Sequence, residues 1–415
     1  MKLNRLGAFL VIIAVAAFAL AGCVPTTTTS SETSSTASPG NNPDRPFKVV
    51  NKDTIYLHTT QTYDAANFPL TSMTGEPSDI PFFKPTKDEG ILNRDYPTYD
   101  KKTFKFLSLT GGTLPPAWYY MFDKNGGALN KAVAKTGYKF ASIFDEGHIK
   151  ILPNLYLGYY DFAWIPLNVL TEYWSGNESM NQELWREGND YVIVGGSYDG
   201  GISLLAPTSV TSVQDLAGKS VGIMNPAFNI EAMFNKTLES VGMATASAGG
   251  NVSISMASPG FVLDDLLATK NAAVFAWGIY AGKFKGQDGY HELVNWQDMG
   301  YGKKVPYYVL VARKDIVAKH PDIVQTVVQQ NIDATKLALA SSEETTPTLD
   351  AYNAFKTKYM GATPAATPAL VLPDAQADPT FLHDVVDYMT KCGYFKVPYT
   401  YNDLVNETFY NKATK

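Results

Sequence analysis

Apolar residues along this chain fall in blocks of two kinds. The first block, residues 6–20, is an almost unbroken apolar run behind Lys2 and Arg5. It is too short to span a bilayer comfortably, and the small residues Ala21 and Gly22 after it suit a peptidase pocket. Later blocks are shorter, and from Phe104 they alternate with stretches of helical spacing. The pattern predicts strands at 104–109, 138–144, 161–165, 191–195, 202–206, 220–224, around 252–256, and at 272–277. Helices fall between them. One starts at Thr113, where threonine caps and Pro115 and Pro116 fit the first turn; one runs from Pro166 into Trp174. Another is opened by Asn225-Pro226, and another spans 260–268. The last third reads as helical, at 315–317, 321–339, 349–360 and 378–392. Short apolar strands alternating with helices imply an α/β class with parallel sheets.

Two segments break the alternation. Residues 24–45 are rich in Thr, Ser, Pro, Gly and Asn, from Thr26 to Asn41-Asn42-Pro43, and bury too little surface to fold. They read as a flexible stalk. Residues 46–100 hold a candidate strand at 54–60, followed by Pro69, Pro77, Pro81, Pro85 and Pro97. They read as an extension packed along the first domain.

Composition narrows the function classes. The formal net charge is −6 and no Lys/Arg cluster occurs, so nothing favours nucleic acid as a partner. Aromatic residues reach 13%, with 25 Tyr. The histidines (His58, His148, His291, His320, His383) are scattered without paired spacing, which argues against a metal site. Gly218-Lys219-Ser220 resembles the tail of a phosphate-binding loop, but Val213 stands where glycine is required. Ser197 lies in Gly195-Gly196-Ser197-Tyr198-Asp199, which lacks the second glycine of a nucleophile elbow. The acid pairs Asp145-Glu146 and Asp264-Asp265 are sequence neighbours and read as solvated surface. Asn177, Asn235, Asn251 and Asn406 each begin an Asn-x-Ser/Thr sequon. No catalytic residue is assigned.

What remains is a set of strand-end loops backed by helix N-termini, at 110–114, 145–148, 164–168, 225–229 and 277–280. Ligands of open α/β sheets bind outside the carboxyl ends of the strands, and helix N-termini offer free N–H groups there. Trp118, Trp164, Phe228, Trp277 and Tyr280 sit at these places. They can stack a flat ligand, clasp a cation, or wedge helices onto sheets.

Two family resemblances sharpen this reading. Leu20-Ala21-Gly22-Cys23 resembles the lipobox of prokaryotic lipoproteins. By that resemblance residues 1–22 are a signal peptide and a lipid on Cys23 anchors the protein to the outer face of a membrane. Cys392 would then be the sole free cysteine, read as a packed thiol, with no intrachain disulfide available. Further along, Ser212-Val213-Gln214-Asp215-Leu216-Ala217-Gly218-Lys219-Ser220-Val221-Gly222-Ile223 is similar to a segment of ABC-transporter substrate-binding proteins of the nitrate/sulfonate/taurine and thiamine-precursor group. Leu238 with Gly242, the 272–277 strand ending in Trp277, Val309-Leu310-Val311-Ala312-Arg313-Lys314-Asp315, and His320-Pro321-Asp322-Ile323-Val324 follow in the family's order. The matches cover about residues 104–340.

The resemblance implies a type II periplasmic-binding-protein fold, two α/β lobes with two crossover segments that close on a ligand. Residues 23–45 become the lipidated linker and 46–102 the N-terminal extension. Residues 103–203 with 307–415 form lobe 1, and 204–306 form lobe 2. Crossings are expected near 200–206 and 305–311, with the glycines at 195–196 and 200–201 as hinge. The family's ligand loops map onto Thr110, Gly111, Gly112, Thr113, Leu114, Glu146, Trp164, Asn225, Phe228, Asn229 and Trp277; Trp118 and Tyr280 join them as strand-end aromatics. The implied function is capture of a small organic molecule or oxyanion for an ABC permease/ATPase complex, by a monomer without cofactor. Arg5, Arg45, Arg94, Arg186 and Arg313 are the only arginines, and none sits in a candidate cleft loop as an anion-binding fork would. A sensory or structural ligand-binding lipoprotein, and an enzyme on the same fold, stay as alternatives.

Overall fold

The structure is a computed structural model that describes residues 48–49, 101–109, 115, 117–123, 126–144, 151–152, 154–155, 158–176, 184–185, 189–224, 227–257, 271–277, 289–340, 371–395 and 397–415. Strand β1 (Lys48–Val49) pairs antiparallel with β5 (Leu184–Trp185). From residue 103 the expected alternation appears: β2 (Thr103–Leu109), α1 (Ala128–Val133), β3 (Lys139–Phe144), β4 (Phe162–Pro166), α2 (Leu167–Ser175) and β6 (Tyr191–Gly200). Then follow β7 (Ile202–Pro207), β8 (Ser220–Met224), α3 (Phe228–Glu239), β9 (Ser253–Ala257), β10 (Ala273–Trp277), β11 (Tyr290–Asn295) and β12 (Pro306–Arg313). The chain ends in α4 (Lys314–Lys319), α5 (Pro321–Ala340), β13 (Val371–Pro373), α6 (Pro379–Lys391), α7 (Tyr401–Leu404) and α8 (Thr408–Ala413). The helices expected at 260–268 and 349–360 lie outside the described residues.

The strands make two larger sheets, ordered β13-β6-β12-β4-β2-β3 and β11-β7-β10-β8-β9. The expectation of parallel sheets holds only in part. β2 runs parallel to β3 and β4, and β8 parallel to β9 and β10, but β6, β7, β11, β12 and β13 bring in antiparallel pairs. The chain passes between the sheets on adjacent strands: β6 leaves the first sheet for β7 through Gly201 alone, and β12, paired antiparallel with β6, brings it back. Gly200 and Gly201 hold φ of 92° and 78°, a region that L side chains avoid. The return segment lies beside this turn, with Gly200 N–H donating to the Val305 carbonyl at 2.9 Å.

Period-two alternation sends each central strand into two apolar layers. Phe162 and Trp164 of β4, Tyr308, Leu310 and Ala312 of β12, and Val192 and Val194 of β6 face the layer under α5. Ala163 and Ile165, Val309 and Val311, and Tyr191 and Ile193 face the opposite layer, which continues without a break into the residues of the second sheet. All ten residues of β6 are buried, which is why the strand runs on past the expected end at 195.

α6 extends the contact between the sheets. It follows β13 of the first sheet but docks on α3 of the second. Lys236 Nζ pairs with Asp384 Oδ2 at 3.0 Å, Tyr301 OH donates to the same oxygen at 2.9 Å, and Tyr388 OH donates to Glu231 Oε1 at 2.8 Å. The chain then returns to the first sheet, where Asn406 N–H donates to the Ile193 carbonyl at 2.8 Å.

The turn between β13 and α6 lies directly on β6: Gly196 N–H donates to the Ala375 carbonyl at 2.7 Å. A Cβ at Gly196 would stand 2.5 Å from the Gln376 carbonyl carbon and 2.6 Å from the Asp374 carbonyl oxygen. Those are backbone atoms and cannot swing aside. Gly196→Ala is therefore expected to cost about 1–3 kcal/mol, read as a lower midpoint in chemical unfolding; an unchanged midpoint would refute the tight approach.

Candidate functional site

Strands β4 and β8 lie one in each sheet, each with a parallel neighbour, and each feeds a helix at its carboxyl end. Neither of these helices is capped by a side chain. The residue before α2 is Pro166 and the residue before α3 is Ala227, and neither side chain can bond the first-turn N–H groups. Both helix starts keep donors and positive partial charge at the strand ends. The second residue of each helix is asparagine. Asn168 is 7% exposed and Asn229 1%. The Oδ1 atom of each is buried without a hydrogen-bond partner. α2 and α3 pack against each other, so the two sheets meet through these helices.

Carboxylates lie close behind. Glu172 is fully buried one helical turn beyond Asn168 on the same face of α2. Glu231, 1% exposed on α3, accepts the hydroxyls of Tyr388 at 2.8 Å and Tyr394 at 2.9 Å on Oε1.

The sequence-predicted site residues divide into three groups. Thr110, Gly111, Gly112, Thr113, Leu114, Glu146, Asn225, Tyr280 and the anchor candidate Cys23 lie outside the described residues. Trp118 and Trp164 form the second group. Both pack in the layer under α5, with Trp164 edge-on to Phe106 at 4.7 Å and its Nε1–H donating to Asn331 Oδ1 at 3.2 Å. Trp118 Nε1–H donates to Ser142 Oγ at 3.1 Å, and Ser142 in turn donates to Ser108 Oγ at 2.6 Å. These indoles wedge helices onto a sheet; Trp164 does so because its place on the alternation of β4 turns it under α5.

The third group lies where the sheets meet. Phe228 starts α3 and packs its ring 4.3 Å from that of Tyr394. Asn229 follows it. The backbone of Trp277 ends β10 opposite Ile202, the first residue of β7 after the crossing. Asn168 was not singled out from the sequence, although the 164–168 loop was; its signal is a polar residue at the start of a helix that has no cap for it to replace.

The segment that carried the family resemblance has a structural task. Ser212 and Asp215 form a capping box around the short turn Val213–Leu216. Asp215 Oδ2 accepts Thr211 N–H at 2.8 Å and Ser212 N–H at 2.9 Å, bonds that hold its carboxyl below the usual range. Gly218 (φ 69°) then turns the chain into β8, so Gly218-Lys219-Ser220 is a strand entry. Arg313 is equally committed, with Asp161 at 3.1 Å, Asp315 at 2.5 Å and the Gly158 carbonyl at 2.7 Å.

A separate titratable cluster sits at the crossing. Asp199, next to last in β6, is buried, and desolvation first, then neighbouring Asp374, pushes its carboxyl up to about 9. Lys304 on the return segment bonds Asp374, and that bond raises the lysine. Among the described residues no group of His, Cys, Asp and Glu could hold a metal ion, and no helix is long and apolar enough to cross a membrane. Cys392 is half-buried and unpaired, and burial pushes its thiol up.

Comparison with known families and structures completes the picture. Residues 199–345 match the family described as NMT1/THI5 like. The match begins at the crossing and takes in the second sheet, β12 and α5. The putative periplasmic sulfonate-binding protein SsuA of an ABC transporter from Methylobacillus flagellatus KT superposes with a TM-score of 0.53 at 14% identity, over 76% of this chain and 94% of that one. The alkanesulfonate-binding protein SsuA from Xanthomonas axonopodis pv. citri, bound to MOPS, gives 0.49 at 12% identity over 75% and 100% of the two chains. The periplasmic nitrate-binding protein NrtA from Synechocystis PCC 6803 gives 0.47 at 12% over 76% and 89%. No curated protein sequence matches the chain. The two-sheet architecture is the periplasmic-binding-protein fold.

Proposed function

We propose that this protein is the solute-binding component of an ABC importer, held at the outer face of a membrane by a lipid on Cys23. It captures a small organic molecule or oxyanion by closure of two lobes and passes it to a permease. The observation that carries the reading is the match to the NMT1/THI5 like family from the crossing onward, beside the uncapped helices α2 and α3 of the two sheets, which pack against each other. Lobe 1 comprises residues 103–203 and 307–415, and lobe 2 residues 204–306. Residues 1–22 are the signal, 23–45 the linker and 46–102 an extension. The protein acts as a monomer and turns nothing over. Differential affinity of the ligand for the closed arrangement drives closure.

A thermal-unfolding screen of the purified protein tests this, with sulfonates, nitrate, carboxylates, pyrimidines and quaternary amines in the panel. Ligand at about a thousand times its dissociation constant should add roughly 4 kcal/mol, a shift of several degrees. A hit that disappears in Asn229→Leu supports the receptor reading and identifies the ligand class. Silence across the panel, with no co-purified small molecule, sinks it.

A further inference from the structure

We infer that Asn251 is a modification site, its Nδ2 carrying an N-linked glycan taken from a lipid-linked sugar phosphate. The inference goes beyond ligand capture and rests on one part of the proposed function, the placement of the globular body outside the membrane. Sequons begin at Asn177, Asn235, Asn251 and Asn406, and Asn177 lies outside the described residues. The structure separates the other three.

Asn235 is 4% exposed within α3. Its Nδ2 donates to Glu239 Oε1 at 2.8 Å, and its Oδ1 accepts Thr245 N–H at 3.0 Å. A sugar on that nitrogen would have no way out of the packed helix. Asn406 is half-buried, with its N–H donating to the Ile193 carbonyl at 2.8 Å and its Oδ1 accepting Thr408 N–H at 3.1 Å. It lines a small cavity beside β6 together with Glu407 and Tyr410.

Asn251 is different. Both Asn251 and Ser253 are exposed, and neither side chain makes a hydrogen bond among the described residues. Val252 between them is fully buried and bridges to Thr245, its carbonyl accepting Ala246 N–H at 2.8 Å. Ser253 N–H donates to the Lys219 carbonyl at 2.9 Å as β9 begins. The buried middle residue thus fixes the backbone and turns its two polar neighbours outward, where one reader meets both amide and hydroxyl. In the parallel pair β8–β9, Ser220 stands opposite Ser253, so Asn251 lies at the amino ends of these strands. α3 leaves from the carboxyl end of β8, and a bulky glycan on Asn251 stands away from the helix starts of the candidate site. In the transfer, Asn251 Nδ2 bonds to the anomeric carbon of the sugar as the anomeric carbon–oxygen bond breaks. The lipid phosphate leaves with that electron pair, and one amide proton passes to a base of the transferase.

The test uses the full chain purified from its native host. Trypsin cuts after Lys219, Lys236 and Lys270, so peptide 237–270 carries Asn251 and peptide 220–236 carries Asn235. Mass spectrometry should find a glycan on 237–270, placed on Asn251 by fragmentation, and none on 220–236. Asn251→Gln and Ser253→Ala should each remove it, Ser253→Thr should keep it, and all three should retain the wild-type circular dichroism. A membrane-impermeant amine reagent applied to intact cells reports separately whether the protein is outside. A bare 237–270 peptide from surface-labelled protein overturns the inference and leaves the receptor reading standing. A glycan on Asn235, or one on 237–270 that survives Ser253→Ala, also overturns it. Protein shielded from the reagent and bare at Asn251 sinks the inference and the outer-face placement together.

Discussion

Trp164→Ala is expected to lower the stability of this protein by about 3–5 kcal/mol, among the largest losses from any single truncation. The indole is fully buried at the middle of β4. It packs edge-on to Phe106 at 4.7 Å and to Phe122 at 6.0 Å, between the first sheet and α5. Its Nε1–H donates to Asn331 Oδ1 at 3.2 Å, and Asn331 Nδ2 donates onward to the Gly196 carbonyl at 2.8 Å. Truncation therefore opens a cavity and also strands one end of a buried amide that holds α5 to β6. Trp164→Phe keeps most of the ring volume and loses the hydrogen bond, so its cost should be smaller, about 1–3 kcal/mol. Urea unfolding followed by far-ultraviolet circular dichroism measures both. The companion readout is ligand affinity in the native baseline, which Trp164→Phe should leave unchanged. A Trp164→Phe protein as stable as wild type but unable to bind ligand would return this residue to the cleft.

The packing of Trp164 shows where a single sequence stops being informative. Strands β2, β3, β4, β6, β7, β8, β9 and β10 and helices α2, α5 and α6 were legible because apolar blocks and helical spacing are local properties. The face that each side chain takes is not. On a strand covered on both sides, period-two alternation gives two apolar faces, and nothing local says which one meets the ligand. Trp164 and Ile165 are equally apolar neighbours; one points under α5 and the other toward the second sheet.

The residues that made the family visible hold the fold. Ser212, Asp215 and Gly218 build a capped turn into β8, and Arg313 ties β12 to Asp161 and the Gly158 carbonyl. Their chemistry is fixed by backbone geometry, so it is readable at short range. Asn168 and Asn229 gain their meaning only when two helices from different sheets come together, a contact far apart in sequence. The docking of α6 is of the same kind. Its apolar stripe through Phe381, Leu382, Val385, Val386 and Met389 announces a packed helix, but not that the partner is α3. The antiparallel pairing of β6 with β12 joins strands far apart in sequence, which no propensity encodes.

Asp199→Asn is expected to stabilise the protein at pH 8 and to leave it nearly unchanged at pH 4. The native carboxyl is pushed up to about 9, by burial first and by Asp374 second, with Asp378 adding to the effect and Lys304 opposing it. In the unfolded chain an aspartate titrates near 4. Between these values the native state holds one proton more than the unfolded state, so unfolding free energy falls as pH rises, by up to about 1.4 kcal/mol per pH unit. Below pH 4 both states are protonated and the penalty vanishes; above 9 both are ionised and it levels off. The neutral carboxyl donates to Asp374, whose other oxygen contacts are Gln376 N–H at 2.8 Å and Lys304 Nζ. An asparagine amide can make the same donation without titrating. Relaxation and water entry trim the full linkage energy, leaving an expected gain of about 2–4 kcal/mol at pH 8. Urea unfolding from pH 4 to 10 should therefore show a wild-type curve that declines through the neutral range and a variant curve that is flatter there. Parallel curves would place the retained proton on another group and leave the Asp199–Asp374 contact as an ordinary surface of the crossing.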